Sequence, residues 1–154
     1  MAQQGQSFDL SKISTANKIV GASAAVYFIW SLLPVWYSLD LGPFGSDSAS
    51  GFRGFTIIAA LLALVAVAEI VVRLLGMNVN LPAKRGLVHL VIAVIAVVCT
   101  LLGLITRPSV IGATYGVSWG LFVALVISLV WAYGAYMMYS EPAPAPPAGG
   151  MGMG

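Results

Sequence analysis

The residues of this chain whose types and spacing could do chemistry are few: Glu69, Arg73 and His89. Glu69 and Arg73 stand four apart, so on a helix they share a face, in the favourable order with the acid N-terminal to the base. Both fall near the far end of an otherwise apolar run from about Phe55 to Leu75. A charge at the centre of a bilayer costs ~2.5–3.5 kcal/mol and less towards the headgroups, so pairing offsets most of it. Two readings follow. The pair is a structural ion pair at the boundary of a membrane span, or Glu69 relays a proton or ion. His89 starts the next apolar run, and an antiparallel hairpin would bring it to the depth of Glu69. A Glu69–His89 contact there would be either an interfacial polar contact or a proton shuttle.

A second pattern lies near the C-terminus. Gly112, Gly116, Gly120, Ala124, Ser128 and Ala132 recur at strict four-residue spacing. Small residues at that spacing let another helix approach closely in lipid, within one bundle or against another chain. Other chemistry lacks its residues. Bis-histidine haem ligation needs at least two histidines, and the chain has one. Thiol–disulfide chemistry needs a cysteine pair, and Cys99 stands alone, read as a small buried apolar side chain. The His-Glu-x-x-His run of a zinc protease, a nucleophile motif and a phosphate-cradling glycine loop are all missing from the sequence. The expectation is no catalytic residue, no metal, no cofactor and no enzyme.

The elements that must position these residues follow from composition. Of 154 residues 60% are apolar and 8% charged, with a mean hydropathy of +0.97. A soluble domain carries about 25% charged residues, so this chain lacks the surface of a water-soluble globule. Seven Lys and Arg against five Asp and Glu make no basic groove, which argues against nucleic-acid binding. About 20 apolar helical residues cross a hydrocarbon core of ~30 Å. Four runs qualify, at about 19–37, 55–75, 87–105 and 116–139, continuous rather than alternating and therefore helices rather than barrel strands. The predicted fold class is all-α, an integral membrane four-helix bundle. It occupies 19–139, after an interfacial N-terminal segment 1–18 and before a Pro/Gly-rich tail 140–154 expected to be disordered. The first run is longer than a signal-peptide core and has no small-x-small site after it, so it is expected to be retained.

Lys12, Lys18, Arg73, Lys84 and Arg85 fall on one side of the four spans, and only Arg53 and Arg107 on the other, which puts both termini in the cytoplasm. Trp36, Tyr37, Phe52, Phe55, Tyr115 and Trp119 would mark the outer interface, and Trp131, Tyr133, Tyr136 and Tyr139 the inner one. The segment 38–54 reads as a turn-rich solvated connector, and 76–86 as a short hairpin turn.

Phe8-Asp9-Leu10-Ser11-Lys12, with a lysine just before the first helix, and Leu33-Pro34-x-Trp36-Tyr37-Ser38 closing it resemble small four-helix membrane proteins common in actinobacteria. That resemblance implies a cytoplasmic-membrane location in a high-GC Gram-positive cell and little about mechanism. Small multidrug exporters carry their intramembrane glutamate in the first helix rather than the second. Claudin-type tetraspans need a longer first loop with a cysteine pair. The functional expectation is a non-enzymatic multi-pass protein of the bacterial plasma membrane, an accessory or scaffold subunit of an envelope complex. Its partners would be the bilayer and other membrane subunits or further copies of itself. The rival expectation is a small oligomeric transporter or channel, proton-coupled through Glu69. A third is an anchor whose Pro-rich tail recruits a cytoplasmic partner.

Overall fold

A computed structural model describes residues 13–77, 84–110 and 112–142. The expected interfacial segment up to residue 12, most of the 76–86 turn and the tail from 143 lie outside the described residues. Four helices dominate: α1 (Thr15–Leu32), α2 (Thr56–Leu74), α3 (Arg85–Ile105) and α4 (Trp119–Ser140). Each packs against two others in a closed ring, α1 on α2, α2 on α3, α3 on α4 and α4 on α1. Three of them, α2, α3 and α4, are long and apolar enough to cross a membrane. The shorter α1 carries Asn17, Lys18, Ser23 and Ser31 and is not among the three.

Side-chain size explains the packing. The buried face of α2 is Thr56, Ala59, Ala60, Ala63 and Ala66, and that of α3 includes Gly86, Ala93, Ala96 and Gly103. The exposed faces carry larger apolar groups such as Leu61, Val65, Val91, Val98, Phe122 and Val126. Small residues inward and large apolar ones outward suit helices that associate by close backbone approach rather than by burying leucines.

The ends of the helices depart from the expected spans. α1 starts at Thr15 because Ser14 caps it, its hydroxyl accepting from the Asn17 backbone N–H at 3.3 Å. It ends at Leu32, since Leu33 precedes Pro34 and is held extended (φ −77°, ψ 140°). The expected end at 37 is thus corrected. The chain beyond enters a small sheet, so all-α is not exact either. β1 (Tyr37–Asp40) and β2 (Ser46–Ala49) form an antiparallel hairpin with Tyr37 opposite Ala49. A single 3-10 turn, Gly42–Phe44, lies at its tip. β5 (Gly116–Val117) joins the other edge of β1, giving the order β2-β1-β5. β3 (Ser109–Val110) pairs with β4 (Ala113–Thr114). The segment expected as a solvated connector therefore holds most of a β-hairpin, docked on the bundle by Trp36. The Trp36 backbone N–H donates to Ala49 O, its carbonyl accepts from Ser118 N–H, and its indole N–H donates to Trp30 O at 2.8 Å.

The aromatic expectation divides accordingly. Trp119, Phe55, Tyr133, Tyr136 and Tyr139 are exposed, but Trp36, Tyr37, Tyr115 and Trp131 are buried. Tyr27 links the last group to the core, edge-on to Trp36 at 5.7 Å, with its hydroxyl 2.7 Å from Thr100 Oγ1.

Candidate functional site

At the end of the bundle opposite the sheet, α1, α2 and α3 place five polar side chains on one carboxylate and its neighbours. Glu69, in the last turns of α2, is the centre. Its Oε1 accepts from Arg73 Nε, one turn along the same helix, and from Arg85 Nε at 2.9 Å. Its Oε2 accepts from Arg85 Nη2 at 3.0 Å and lies 3.0 Å from His89 Nε2. The remaining arm of Arg85, Nη1, donates to Asn17 Oδ1 at 2.6 Å, and Asn17 Nδ2 donates to the capping Ser14 hydroxyl at 2.8 Å. The chain of bonds therefore runs from the start of α1 through the start of α3 to the end of α2. An ionised carboxylate has about four lone-pair sites and no donor, so these four contacts fill it, and His89 Nε2 must carry the proton it shares. His89 Nδ1, buried, has no partner among the described residues.

The structure thus brings Glu69, Arg73 and His89 together, and adds two residues that the sequence reading left out of the group, Arg85 and Asn17. By sequence Arg85 is a turn cation, and its four-residue spacing to His89 is the signal that both face one way. Asn17 had no signal beyond its place at the start of a helix. Gly86, between Arg85 and His89, sets the depth of the arrangement: a Cβ there would lie 2.5 Å from Tyr139 Cα. Only glycine lets α3 approach α4 so closely.

The small-residue row does not stay on one helix. Gly112 sits in a turn with φ +80°, Gly116 lies in β5, and only Gly120, Ala124, Ser128 and Ala132 are on α4. Gly120, Ala124 and Ser128 are buried, while Ala132 is half-buried. A four-residue step on a helix of 3.6 residues per turn drifts by about 40°, so such a row leaves the interface after a few steps. Trp131, Gly134 and Ala135 continue the buried face instead, with Gly134 against Ile19 and Val20 of α1. Cys99 is buried on α3, and among the described residues no three His, Cys, Asp or Glu side chains gather as metal ligands.

The sheet end has its own polar contact. The Tyr115 hydroxyl donates to Asp47 Oδ2, and the Arg53 guanidinium stands 5.1 Å from the Tyr115 ring centre. This hydrogen bond, helped by the Ser48 backbone, holds the Asp47 carboxyl below the usual carboxylate range, and it raises the Tyr115 phenol above its own. The signs define a window. The Asp47 contribution is present above the ordinary carboxylate pKa and is lost as pH falls through the lowered value. The Tyr115 contribution is present below the ordinary phenol pKa and is lost as pH rises through the raised one. Asp47→Asn is expected to bring the Tyr115 ionisation back down, read as a difference in the ultraviolet alkaline titration against the unsubstituted protein. Identical titrations would mean that the two groups do not touch in solution.

No protein family, curated protein or solved structure matches this chain.

Proposed function

We propose that this chain is a non-enzymatic multi-pass protein of the bacterial plasma membrane that acts as an accessory or scaffold subunit of a membrane complex. In this reading α1 crosses with the other three helices, held between α2 and α4, and both termini are cytoplasmic. Lys18, Arg73, Lys84 and Arg85 then lie on the cytoplasmic side, as the positive-inside rule asks. The observation that carries the reading is the filled carboxylate. Glu69 is the acid best placed for a relay, and all its acceptor sites are taken by Arg73, Arg85 and His89. Charge spent on tying three helices together supports a rigid body that works through its surfaces. Phe44, 89% exposed at the hairpin tip, is one such surface on the far side.

The test is extraction into lipid nanodiscs directly from the source membrane, followed by native mass measurement. The expected result is a particle heavier than one 16.0 kDa chain, through a second protein or a further copy. Phe44→Ser is expected to lower the recovery of that heavier particle while leaving the unfolding temperature unchanged. A lone chain in every lipid composition would overturn the proposal. So would proton flux in proteoliposomes that is lost in Glu69→Gln, which would favour the transporter reading.

A further inference from the structure

Inside the bundle α1, α3 and α4 bury a second polar group, one that carries no charge. Tyr27 of α1, Thr100 of α3, and Ser128 and Trp131 of α4 are each 0% exposed. Their protons can be counted. The Thr100 hydroxyl donates to Ala96 O at 2.7 Å, so in its 2.7 Å contact with Tyr27 the phenol is the donor. The Ser128 hydroxyl donates to Leu125 O at 2.8 Å. Tyr27 Oη and Ser128 Oγ have each given their only proton, and each oxygen can still accept. Trp131 Nε1–H is the reverse case. An indole nitrogen can only donate, and this buried one meets no acceptor among the described residues.

We propose that one water molecule is bound within the bundle, accepting from Trp131 Nε1–H and donating to Tyr27 Oη and Ser128 Oγ. The three groups are neighbours. Trp131 stands three residues after Ser128 on the buried face of α4, and a helical tryptophan leans back over the turn that precedes it. The Trp131 and Tyr27 rings lie 6.1 Å apart, tilted by 51°. The buried faces of α2 and α3 add alanines, Ala63, Ala66, Ala93 and Ala96, which bring no side-chain acceptor to the indole. One donor beside two acceptors asks for a small ligand that accepts once and donates twice, and water does both. An alcohol has a single proton to give, and a cation would find no carboxylate in this group. The water would tie α1 to α4 in the interior, as Glu69 ties α1, α2 and α3 at the bundle end. The inference is independent of which proteins the bundle assembles with.

The experiment is nuclear magnetic resonance of the full chain in lipid nanodiscs, with its four tryptophan indole nitrogens isotope-labelled and assigned by Trp→Phe substitutions. The Trp131 indole proton is expected to show an Overhauser cross-peak at the water frequency, with the sign of a molecule that tumbles with the protein. The buried Trp36 indole, which donates to Trp30 O at 2.8 Å, is expected to show none. Tyr27→Phe and Ser128→Ala each remove one hydroxyl and leave the water two partners, so the cross-peak should persist in both. Its loss in either would trace it to that hydroxyl's own exchanging proton and overturn the site. Ser128→Val places a methyl group where the water is held and is expected to abolish the cross-peak. The Trp30 and Trp36 indole resonances, each set by a bond to a backbone carbonyl, should keep their positions there and so report that the bundle is folded. A Trp131 indole with no water cross-peak in the unsubstituted protein would overturn the proposal. A cross-peak unchanged in Ser128→Val would overturn it too, by placing the water elsewhere.

Discussion

Glu69→Ala is expected to destabilise the bundle by about 3 kcal/mol, the lower part of the range seen when one partner of a buried ion pair is removed. The lower part applies because the Glu69 side chain is 12% exposed while Arg73 and Arg85 are 30% and 26% exposed, so water relieves part of the loss. What remains is still large, since the change leaves two guanidinium groups and the His89 ring facing one another without the acceptor they share. Arg85→Lys should fall in between. Arg85 binds Glu69 with two parallel bonds, Nε to Oε1 and Nη2 to Oε2, and holds Asn17 with its third nitrogen. An ammonium group cannot reproduce that fork. The measurement is unfolding of purified protein in micelles, by heat or by titration with a denaturing detergent. If Glu69→Ala unfolds with the unsubstituted protein, the cluster contributes nothing and the structural reading of it fails. Glu69→Leu combined with Arg73→Leu and Arg85→Leu should recover much of the loss, because the guanidinium groups that share the carboxylate are removed with it.

How much of this cluster could be read in the sequence depends on distance along the chain. The Glu69–Arg73 pair is a matter of local spacing, and helix geometry alone places it. Arg85 lies sixteen positions from Glu69 and meets it only because the α2–α3 pair aligns the end of one helix with the beginning of the next. Asn17 needs α1 to be docked beside both. The helices themselves were legible wherever an apolar run was long, but their ends were not. Val35, Trp36 and Tyr37 continue the hydropathy of α1 past Pro34, although the backbone has already turned extended at Leu33. The strands escaped for a different reason. Ser46–Ala49 and Gly116–Val117 are too short and too polar for an alternating pattern to emerge. Their pairing depends on Tyr37 and Trp36 being buried above the bundle, which composition does not express. The aromatic residues show the same limit: a tryptophan near a span end reads as an interface anchor whether it points outward, as Trp119 does, or inward, as Trp36 does.

The glycines separate packing that spacing implies from packing that contact enforces, and they give the second large effect. Gly86→Ala and Gly120→Ala are each expected to cost about 3 kcal/mol, at the upper end of what overpacking a tight site costs. In both cases the added methyl meets backbone rather than a flexible side-chain end. At Gly86 it would lie 2.5 Å from Tyr139 Cα and 2.6 Å from Met138 O, and at Gly120 it would lie 2.2 Å from Val35 O. Gly120 also donates its N–H to that Val35 carbonyl at 3.0 Å and accepts from the Trp30 indole at 2.9 Å, so pushing α4 away breaks both bonds. Gly116→Ala, four residues earlier in the same row, should be nearly silent, because its nearest neighbour is Ser38 O at 3.4 Å. Gly112→Ala should cost about 1 kcal/mol through its positive φ alone, with no atom in the way. A row acting as one continuous helix seam would instead give similar losses at all three of its glycines. Gly86 carries a further consequence, since Arg85 and His89 flank it and must move with α3 when it is forced off α4. Gly86→Ala and Glu69→Ala should therefore be less than additive in a double-mutant cycle of unfolding free energies, each having already loosened what the other would remove. Full additivity would mean that the close approach of α3 to α4 and the ion-pair cluster are held independently.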